Sequence, residues 1–226
     1  MKILIVGAGL SSSVIAHELA KQDCINSIDI IDSRDHIAGN LFDYIDENGV
    51  NVHKYGPHIW HTNSEKIHKY MSNFTNWVEY KHKVKELLNN GEYVTIPANK
   101  ETKEKLDSLG LDVIETLFRP YSEKMWGIPL EELNPDIIKR VPIRDDLNDL
   151  YFQKDKFQGF PDKGYTNMIE NMLKNDKISI KLNTKFSSDM NNIDKYDHIF
   201  NAMSIDEYFK YSEGILPYRS LKFHVM

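Results

Sequence analysis

Two glycines and an aspartate near the N-terminus have the types and spacing of a dinucleotide-binding site. Gly7 and Gly9 follow the apolar run 2–6 and precede a stretch with helical periodicity, and Asp32 ends a second apolar run. The first glycine permits a tight turn, the second lets a pyrophosphate approach the backbone, and the acidic residue accepts hydrogen bonds from a ribose. Ser12 replaces the third glycine of this fingerprint, which we expect to loosen the helix–strand contact slightly. The alternative is an ordinary glycine turn.

The residues that follow Asp32 favour FAD over NAD as the dinucleotide. Arg34 comes shortly after it, followed by Gly39 and Asn40. Flavoproteins of the glutathione-reductase type often carry an acidic residue, a basic residue and a Gly-Gly pair at this place. Arg34 can neutralise a phosphate, because a guanidinium is always charged, and Gly39 can lie close to the cofactor. The alternative is that Arg34 and Asp35 belong to a solvated turn.

Three histidines occur in the segment 53–62, HKYGPHIWHT. A metal site needs several convergent ligands, usually with carboxylate or thiolate help, and this segment contains no acidic residue. Gly56-Pro57 also prevents a helix that would align the rings. We therefore predict no metal site, and we expect Gly56-Pro57 to form a rigid turn that presents His58 to a flat ring system. The alternative is that His58 is a packed structural histidine.

The composition is that of a globular chain without a basic excess. The 226 residues carry 28 Lys and Arg against 34 Asp and Glu, a formal charge of −6, which disfavours nucleic acid as a partner, although local fields can still bind anions. With Cys24 as the one cysteine, we expect no internal disulfide and no thiolate metal cluster. The first apolar run is too short for a signal peptide, and no run is long enough for a transmembrane helix. We therefore expect a cytoplasmic protein with no membrane partner.

The elements that must position these residues alternate between strands and helices. The order of strand, glycine turn, helix and strand over residues 2–31 has the spacing of a βαβ unit. The turn signals Asn48-Gly49 and Asn90-Gly91 predict two hairpins. Helices are predicted at residues 64–71, capped by Ser64, and at 100–109, 112–124, 135–139, 165–173 and 206–211, with strands at 178–182 and 196–200. This pattern predicts an α/β or α+β protein.

Several motifs together make the sequence resemble the UDP-galactopyranose mutase family. They occur in the family's order and span nearly the whole chain: GAGLSS, IIDSRDHIAGN, HKYGPHIWHT, YSEKMWG, KRVPIR, LYFQKDKFQGFPDKGYTNMIENML and YRSLKF. The resemblance implies an α/β protein with a Rossmann-like FAD-binding fold and an inserted, shortened, mainly helical substrate domain. It implies an FAD-binding βαβ and flavin-contacting segment at 1–62, a substrate-binding insertion with a mobile loop at 63–150, and a return to FAD-domain elements at 151–226.

The same resemblance implies an isomerase that interconverts UDP-galactopyranose and UDP-galactofuranose on reduced FAD. In the family's mechanism flavin N5 attacks the anomeric carbon as UDP leaves, and the sugar opens and recloses through a different hydroxyl, without net oxidation. One alternative is a non-catalytic remnant that binds FAD or a UDP-sugar. Another is an FAD-dependent oxidoreductase on the same fold, which is disfavoured because it would not require HKYGPHIWHT and KRVPIR.

Individual residues of this sequence fall on the family's functional positions. The resemblance implies FAD binding by Gly7, Gly9, Ser12, Asp32, Arg34, Gly39, Asn40 and His58, and substrate binding by Asn99, Phe118, Tyr121, Trp126, Arg144 and Tyr151. It implies catalytic roles for His58 beside the flavin and for Arg144 on a mobile loop, where Arg144 and Tyr151 bind the diphosphate. The three aromatic residues would hold uridine. From the residues alone, Asn99 would be a turn residue, the aromatic residues a buried stripe and Arg144 a surface charge.

The sequence departs from the family pattern in three places. The stretch between Asn99 and Phe118 leaves room for few helices, which puts dimerisation through that region in doubt. The turn after the predicted strand 196–200 reads Asn201-Ala-Met-Ser, without the usual Gly and Pro. The chain ends soon after Tyr218, before the part that closes the flavin site in the family. We therefore expect a fragment, one piece of a split protein or a degenerate reading frame, with a homodimer or a complementing C-terminal fragment as candidate partners.

Overall fold

The computed structural model describes residues 1–138, 142–187, 193–218 and 220. Residues 139–141 of the KRVPIR motif, and Arg219 and residues 221–223 of the YRSLKF motif, lie outside the described residues. The strands are β1 (Lys2–Val6), β2 (Ser27–Ile31), β3 (Asp43–Ile45), β4 (Asn51–His53), β5 (Trp60–Thr62), β6 (Trp77–Glu79), β7 (Val84–Leu87), β8 (Tyr93–Ile96), β9 (Phe157–Pro161), β10 (Ile178–Lys181) and β11 (His198–Asn201). The α-helices are α1 (Leu10–Ala20), α2 (Glu65–Met71), α3 (Lys100–Ser108), α4 (Arg119–Trp126), α5 (Pro135–Ile138), α6 (Gly164–Met172) and α7 (Ile205–Tyr208), and a π-helical turn at Ile114–Phe118 precedes α4.

A parallel sheet in the order β10–β2–β1–β11 positions the glycine turn. The central strand β1 is buried on both faces, which explains why it is an almost continuous apolar run. Ile3 and Ile5 pack into a core that includes residues of α1 and α6. Leu4 and Val6, on the opposite face, pack with Phe186 in a second cluster. The parallel sheet with α1 as the β1–β2 crossover confirms the predicted Rossmann-like α/β fold.

Both predicted hairpins are present. β3 pairs antiparallel with β4, and β7 pairs antiparallel with β8. Gly49 and Gly91 have φ angles of +78° and +86°, in the left-handed region that glycine adopts without steric cost. The Asn-Gly and neighbouring turn signals were therefore sufficient to locate these elements.

A three-stranded antiparallel sheet in the order β5–β9–β6 was not predicted from the sequence. It takes one strand from each of the three regions 1–62, 63–150 and 151–226, and those boundaries stay a prediction. Gly159 lies at its centre, where a Cβ atom would come within 2.3 Å of the Val78 carbonyl oxygen. A side chain at position 159 would therefore force the two strands apart.

The part of the chain between β6 and β9 contains the β7–β8 hairpin and several short helices, which pack around a small core of their own. The buried residues of this core are Leu88, Val94, Ala98, Leu106, Leu117 and Phe118. Arg119 at the start of α4 forms ion pairs with Glu115, Glu123 and Glu131. These pairs connect α4 with the preceding π-helical turn and with the segment that follows the helix. No helix in the described part of the chain is long and apolar enough to cross a membrane.

Candidate functional site

The glycine turn and Asp32 meet at the carboxyl ends of β1 and β2. Gly7 has a φ of +99°, and its N–H donates to the Ile31 carbonyl at 2.8 Å. Gly9 directly precedes α1, and the Asp32 carboxylate accepts a hydrogen bond from the Ala8 N–H at 2.8 Å. Open α/β sheets bind ligands in the crevice at this edge, and the first N–H groups of a helix lack intrahelical partners and can face a phosphate.

Gly39 completes a cradle of bare backbone. A Cβ atom at Gly39 would lie 3.1 Å from the Cα of Gly9, and Gly39 has a φ of +55°. Ser12 is buried, and its Oγ has no hydrogen-bond partner. The unusual turn 201–204 lies on the other side, since a Cβ at Gly7 would meet the Ala202 Cβ at 3.4 Å. The close backbone approach and the unpartnered hydroxyl fit a dinucleotide cofactor.

Arg34 and Asn40 lie beside this cradle and contact one another. The Arg34 Nη2 atom donates to the Asn40 Oδ1 at 3.0 Å, and the Arg34 N–H donates to the Asp32 Oδ1 at 2.8 Å. The Arg34 Nη1 atom is buried without a hydrogen-bond partner. The structure thus brings Asp32, Arg34 and Asn40 together, and their contacts with FAD stay a prediction.

His58 is half-buried, and its neighbours fix both its ring and its backbone. Its Nδ1 donates to the Gly56 carbonyl at 2.9 Å, and its N–H donates to the His53 Nδ1 at 3.2 Å. Burial lowers the pKa of the His53 imidazole, which favours the neutral ring needed as an acceptor. Gly56 has a φ of +91°, so the expected turn is present before His58.

Asn99 is buried and caps α3. Its Oδ1 accepts a hydrogen bond from the Thr102 N–H at 2.9 Å, and its Nδ2 donates to the Asn148 carbonyl at 3.4 Å. The residue before it, Ala98, accepts a hydrogen bond from the Arg144 N–H at 2.8 Å. The structure places Asn99 next to the Arg144 segment in a structural role, and its contact with substrate stays a prediction.

Asn99→Ala is expected to lower the free energy of unfolding by about 1–2 kcal/mol, because it removes a buried N-cap. Asn99→Asp keeps an acceptor for the Thr102 N–H but places a carboxylate in a buried site against the Asn148 carbonyl, so it should also be less stable than the wild type. Urea denaturation of both variants measures the effect. Equal stability of Asn99→Ala and the wild type would show that the cap contributes nothing.

Arg144 and Tyr151 lie together at the two ends of one loop. The guanidinium donates to the Leu150 carbonyl at 2.7 Å and to the Tyr151 carbonyl at 3.0 Å. The Tyr151 N–H in turn donates to the His82 carbonyl at 2.7 Å. Burial lowers the pKa of His82, whose ring lies 5.6 Å from that of Tyr151. The two predicted diphosphate contacts are therefore neighbours, and the movement of the loop stays a prediction.

The three aromatic residues predicted to hold uridine differ in their exposure. Phe118 is buried in the small core around Leu106, whereas Tyr121 is 65% exposed and Trp126 is 49% exposed on α4. Phe118 is therefore packed as the buried-stripe interpretation expected, and the roles of Tyr121 and Trp126 in binding uridine stay predictions.

A cavity of about 320 Å³ lies between α2 and the β5–β9–β6 sheet. It contains no predicted site residue and is lined by Trp60, His68, Trp77, Glu79, Lys156, Phe157 and Gln158. Trp60 and Trp77 stack at 5.0 Å, so its walls are largely aromatic. No group of three or more His, Cys, Asp or Glu side chains in the described ranges could hold a metal ion.

Tyr55 contacts a predicted site residue that the sequence did not connect with it. Tyr55 lies in HKYGPHIWHT, a segment in which only His58 was predicted to contact the cofactor. In the structure the Arg34 guanidinium lies 4.6 Å from the centre of the Tyr55 ring. The spacing between the two motifs gives no sign of this contact, because it depends on how β4 and the turn fold back.

Comparisons with known proteins agree with this geometry. Residues 116–226 match the family model UDP-galactopyranose mutase, and residues 5–74 match that of an NAD(P)-binding Rossmann-like domain. A probable UDP-galactopyranose mutase of Klebsiella pneumoniae is 36% identical, over 98% of this chain and 65% of the relative. The dTDP-fucopyranose mutase of Escherichia coli is 31% identical, over 98% of this chain and 68% of the relative. A crystal structure of reduced UDP-galactopyranose mutase has a TM-score of 0.59 at 18% identity, over 80% of this chain and 48% of that chain, which shows a shared fold.

The extent of these matches defines what the chain shares with its relatives. It spans about two-thirds of their length, 65% in the first case. The Rossmann-like match contains all the predicted FAD-binding residues, and the mutase match contains Arg144 and Tyr151. FAD is the cofactor of these flavoenzymes, and the glycine cradle fits it. Because the similarity to mutases extends over 98% of the chain, this protein belongs to the UDP-galactopyranose mutase family.

Proposed function

We propose that this protein interconverts UDP-galactopyranose and UDP-galactofuranose with reduced FAD as cofactor. The observation that carries the proposal is the cradle formed by Gly9 and Gly39 next to Asp32, in a chain of this family. A cytoplasmic location is part of the same proposal, because the expected substrate is a nucleotide sugar.

The glycine turn, Asp32 and His58 would bind FAD. The bare backbone at Gly7, Gly9 and Gly39 admits the pyrophosphate, and the Asp32 carboxylate accepts a hydrogen bond from a ribose hydroxyl. When bound and reduced, FAD supplies the nucleophile for the sugar. The Nδ1–H bond to the Gly56 carbonyl fixes the His58 ring, so Nε2 is the nitrogen with which this ring can contact the flavin.

The loop that starts at Arg144 would bind the substrate. The guanidinium donates to two neutral carbonyls of its own loop. A diphosphate would replace them with charge-assisted bonds, which are roughly twice as strong as neutral ones. Exchange of these partners would order the loop over the substrate and exclude water from the reacting carbon. The Tyr151 hydroxyl would then donate to a second phosphate oxygen.

The partners of the chain are part of the proposal. The edge strand β11 pairs with β1 on one side, and Ile215, Leu216 and Tyr218 beyond it are exposed. A complementing C-terminal fragment that adds to this edge is one candidate partner, and a homodimer is the other. Size-exclusion chromatography with light scattering separates a dimer from a monomer.

The proposed function is tested by purifying the protein, recording its flavin spectrum, reducing it with dithionite and adding UDP-galactofuranose. Chromatography should show UDP-galactopyranose. A flavin spectrum without turnover would support the binding remnant, and absence of both flavin and turnover would contradict the proposal. A parallel reaction with dTDP-fucofuranose tests the substrate of the Escherichia coli relative. Turnover of that sugar alone would reassign the substrate.

Gly39→Ala is expected to lower FAD affinity about tenfold, the equivalent of 1.4 kcal/mol. A Cβ atom would press on the Gly9 Cα at 3.1 Å, and alanine is strained at a φ of +55°. Titration of the apoprotein with FAD, followed by flavin fluorescence, measures the change. Gly110→Ala is the control, because Gly110 has a φ of +70° with no atom near its Cβ position. Equal losses in both variants would contradict the role of the cradle.

A further inference from the structure

Tyr55 joins the HKYGPHIWHT segment to the predicted FAD-binding residues. Its ring lies against the Arg34 guanidinium, with 4.6 Å between the guanidinium carbon and the ring centre. Cations at this distance are attracted by the ring face, most strongly when the pair is withdrawn from water. The Arg34 side chain is half-buried, and its Nη1 atom is fully buried. The contact therefore restricts where the guanidinium can lie.

His36 fixes Tyr55 from the other side. The His36 ring is 7% exposed and stacks on Phe42 at 3.9 Å. Its Nδ1 donates to the Ile37 carbonyl at 2.8 Å, and its Nε2 shares a hydrogen bond with the Tyr55 hydroxyl at 2.7 Å. Both nitrogens of a buried ring are thus used to hold the tyrosine in place.

The Arg34 guanidinium has unused donor capacity. It carries five N–H donors, and Nη2 donates to Asn40 while Nη1 has no hydrogen-bond partner. A buried unmade hydrogen bond is costly, so an anionic ligand would be bound favourably here. The backbone of the same residue is held by Asp32, which places this donor set beside the glycine turn.

We propose that Tyr55, held by His36, is a positioning residue that orients the Arg34 guanidinium toward the pyrophosphate of bound FAD. This inference rests on the proposed FAD binding. Tyr55 precedes the Gly56–His58 turn directly, so the contact also links the phosphate end of the cofactor site to the histidine assigned to the flavin end. Tyr55 itself does not need to touch the cofactor.

A double-mutant cycle tests the proposal. FAD dissociation constants are measured by flavin fluorescence for the wild type, Tyr55→Leu, Arg34→Ala and the double variant. We expect Tyr55→Leu to lower FAD affinity about tenfold when Arg34 is present, which lies between the losses expected for an exposed and for a fully desolvated cation–π contact. In the Arg34→Ala background the same change should have little further effect, because coupled residues are not additive. Tyr55→Phe keeps the ring but loses the hydroxyl that His36 holds, so its FAD affinity should lie between those of the wild type and Tyr55→Leu.

Tyr44→Leu is the matched control, because Tyr44 is an exposed aromatic residue of the adjoining hairpin strand. It should bind FAD as the wild type does. An equal loss from Tyr55→Leu in both backgrounds, or no loss in either, would overturn the inference. If Tyr55→Leu does not fold, Arg34→Lys decides, because a lysine cannot form the planar contact: wild-type affinity in that variant would also overturn it. A wild type that does not bind FAD refutes the proposed function instead.

Discussion

Alanine at position 164 is expected to lower the free energy of unfolding by at least about 3 kcal/mol. Gly164 opens α6 with a φ of +83°, and a Cβ atom would lie 2.6 Å from the Asp43 Oδ2 and 2.9 Å from the Oδ1. The carboxylate cannot move aside without losing bonds, since it accepts from the Tyr165 and Thr166 N–H groups at 2.7 and 2.8 Å. Backbone strain and the loss of buried charged hydrogen bonds therefore add.

Gly49→Ala separates these two contributions. Gly49 has a φ of +78° and no atom within 4 Å of its Cβ position, so alanine there meets only the strain, about 1–2 kcal/mol. Urea denaturation of both variants gives the difference. If Gly164→Ala lowers the free energy of unfolding no more than Gly49→Ala does, the Asp43 contact does not constrain α6.

The role of Asp43 explains why this position matters to the site. Asp43 is buried at the start of β3, and Asn51 on β4 donates to it at 3.1 Å. It thus fastens the β3–β4 hairpin to the first turn of α6, where a negative charge is also favoured by the helix dipole. The hairpin leads directly into the Tyr55–His58 segment, so displacement of α6 should also weaken FAD binding.

Arg144→Ala is expected to reduce mutase turnover at least about a hundredfold while FAD affinity stays unchanged. Truncating a charge that is paired in a complex costs several kcal/mol, and every 1.4 kcal/mol is tenfold. The guanidinium also closes its own loop through the Leu150 and Tyr151 carbonyls. Turnover and the affinity for UDP, measured by calorimetry, report the loss.

Two further variants sharpen the Arg144 experiment. Arg144→Lys keeps the charge but loses the bidentate geometry of the guanidinium. Its turnover should therefore lie between those of the wild type and Arg144→Ala. Lys103→Ala is the control, because Lys103 forms a surface ion pair with Asp145 next to the same loop, and surface pairs contribute little. Loss of FAD together with turnover in Arg144→Ala would show that the loop assignment is wrong.

The local elements were accessible from the sequence because their signals are local. The glycine turn, α1 and β2 follow one another within a single βαβ unit. The hairpins at Gly49 and Gly91 are indicated by the residue types of their turns. Ser64 caps α2 as predicted, with its Oγ accepting from the Ile67 N–H at 3.3 Å. Each of these features depends on residues that are near neighbours in the chain.

The β5–β9–β6 sheet could not be predicted because its signals are weak and distant. β5 and β6 are three residues long, too short to show alternation, and both pair with β9, which follows far later in the chain. Nothing local marks either strand. Strands so far apart in the sequence pair because of how the whole molecule packs. The hydrophobic periodicity of a single segment carries no information about that packing.

The site divides in the same way. By itself the sequence determined the dinucleotide turn and its acidic residue, because glycine and aspartate act there through the backbone and at fixed spacing. Only the tertiary structure decided that the Asn99 side chain donates to the distant Asn148 carbonyl and that Phe118 is packed in a core. It alone joined Tyr55 to Arg34. Residue type gives the chemistry that a side chain can do, but its partners are set by chain segments that meet only when the protein folds.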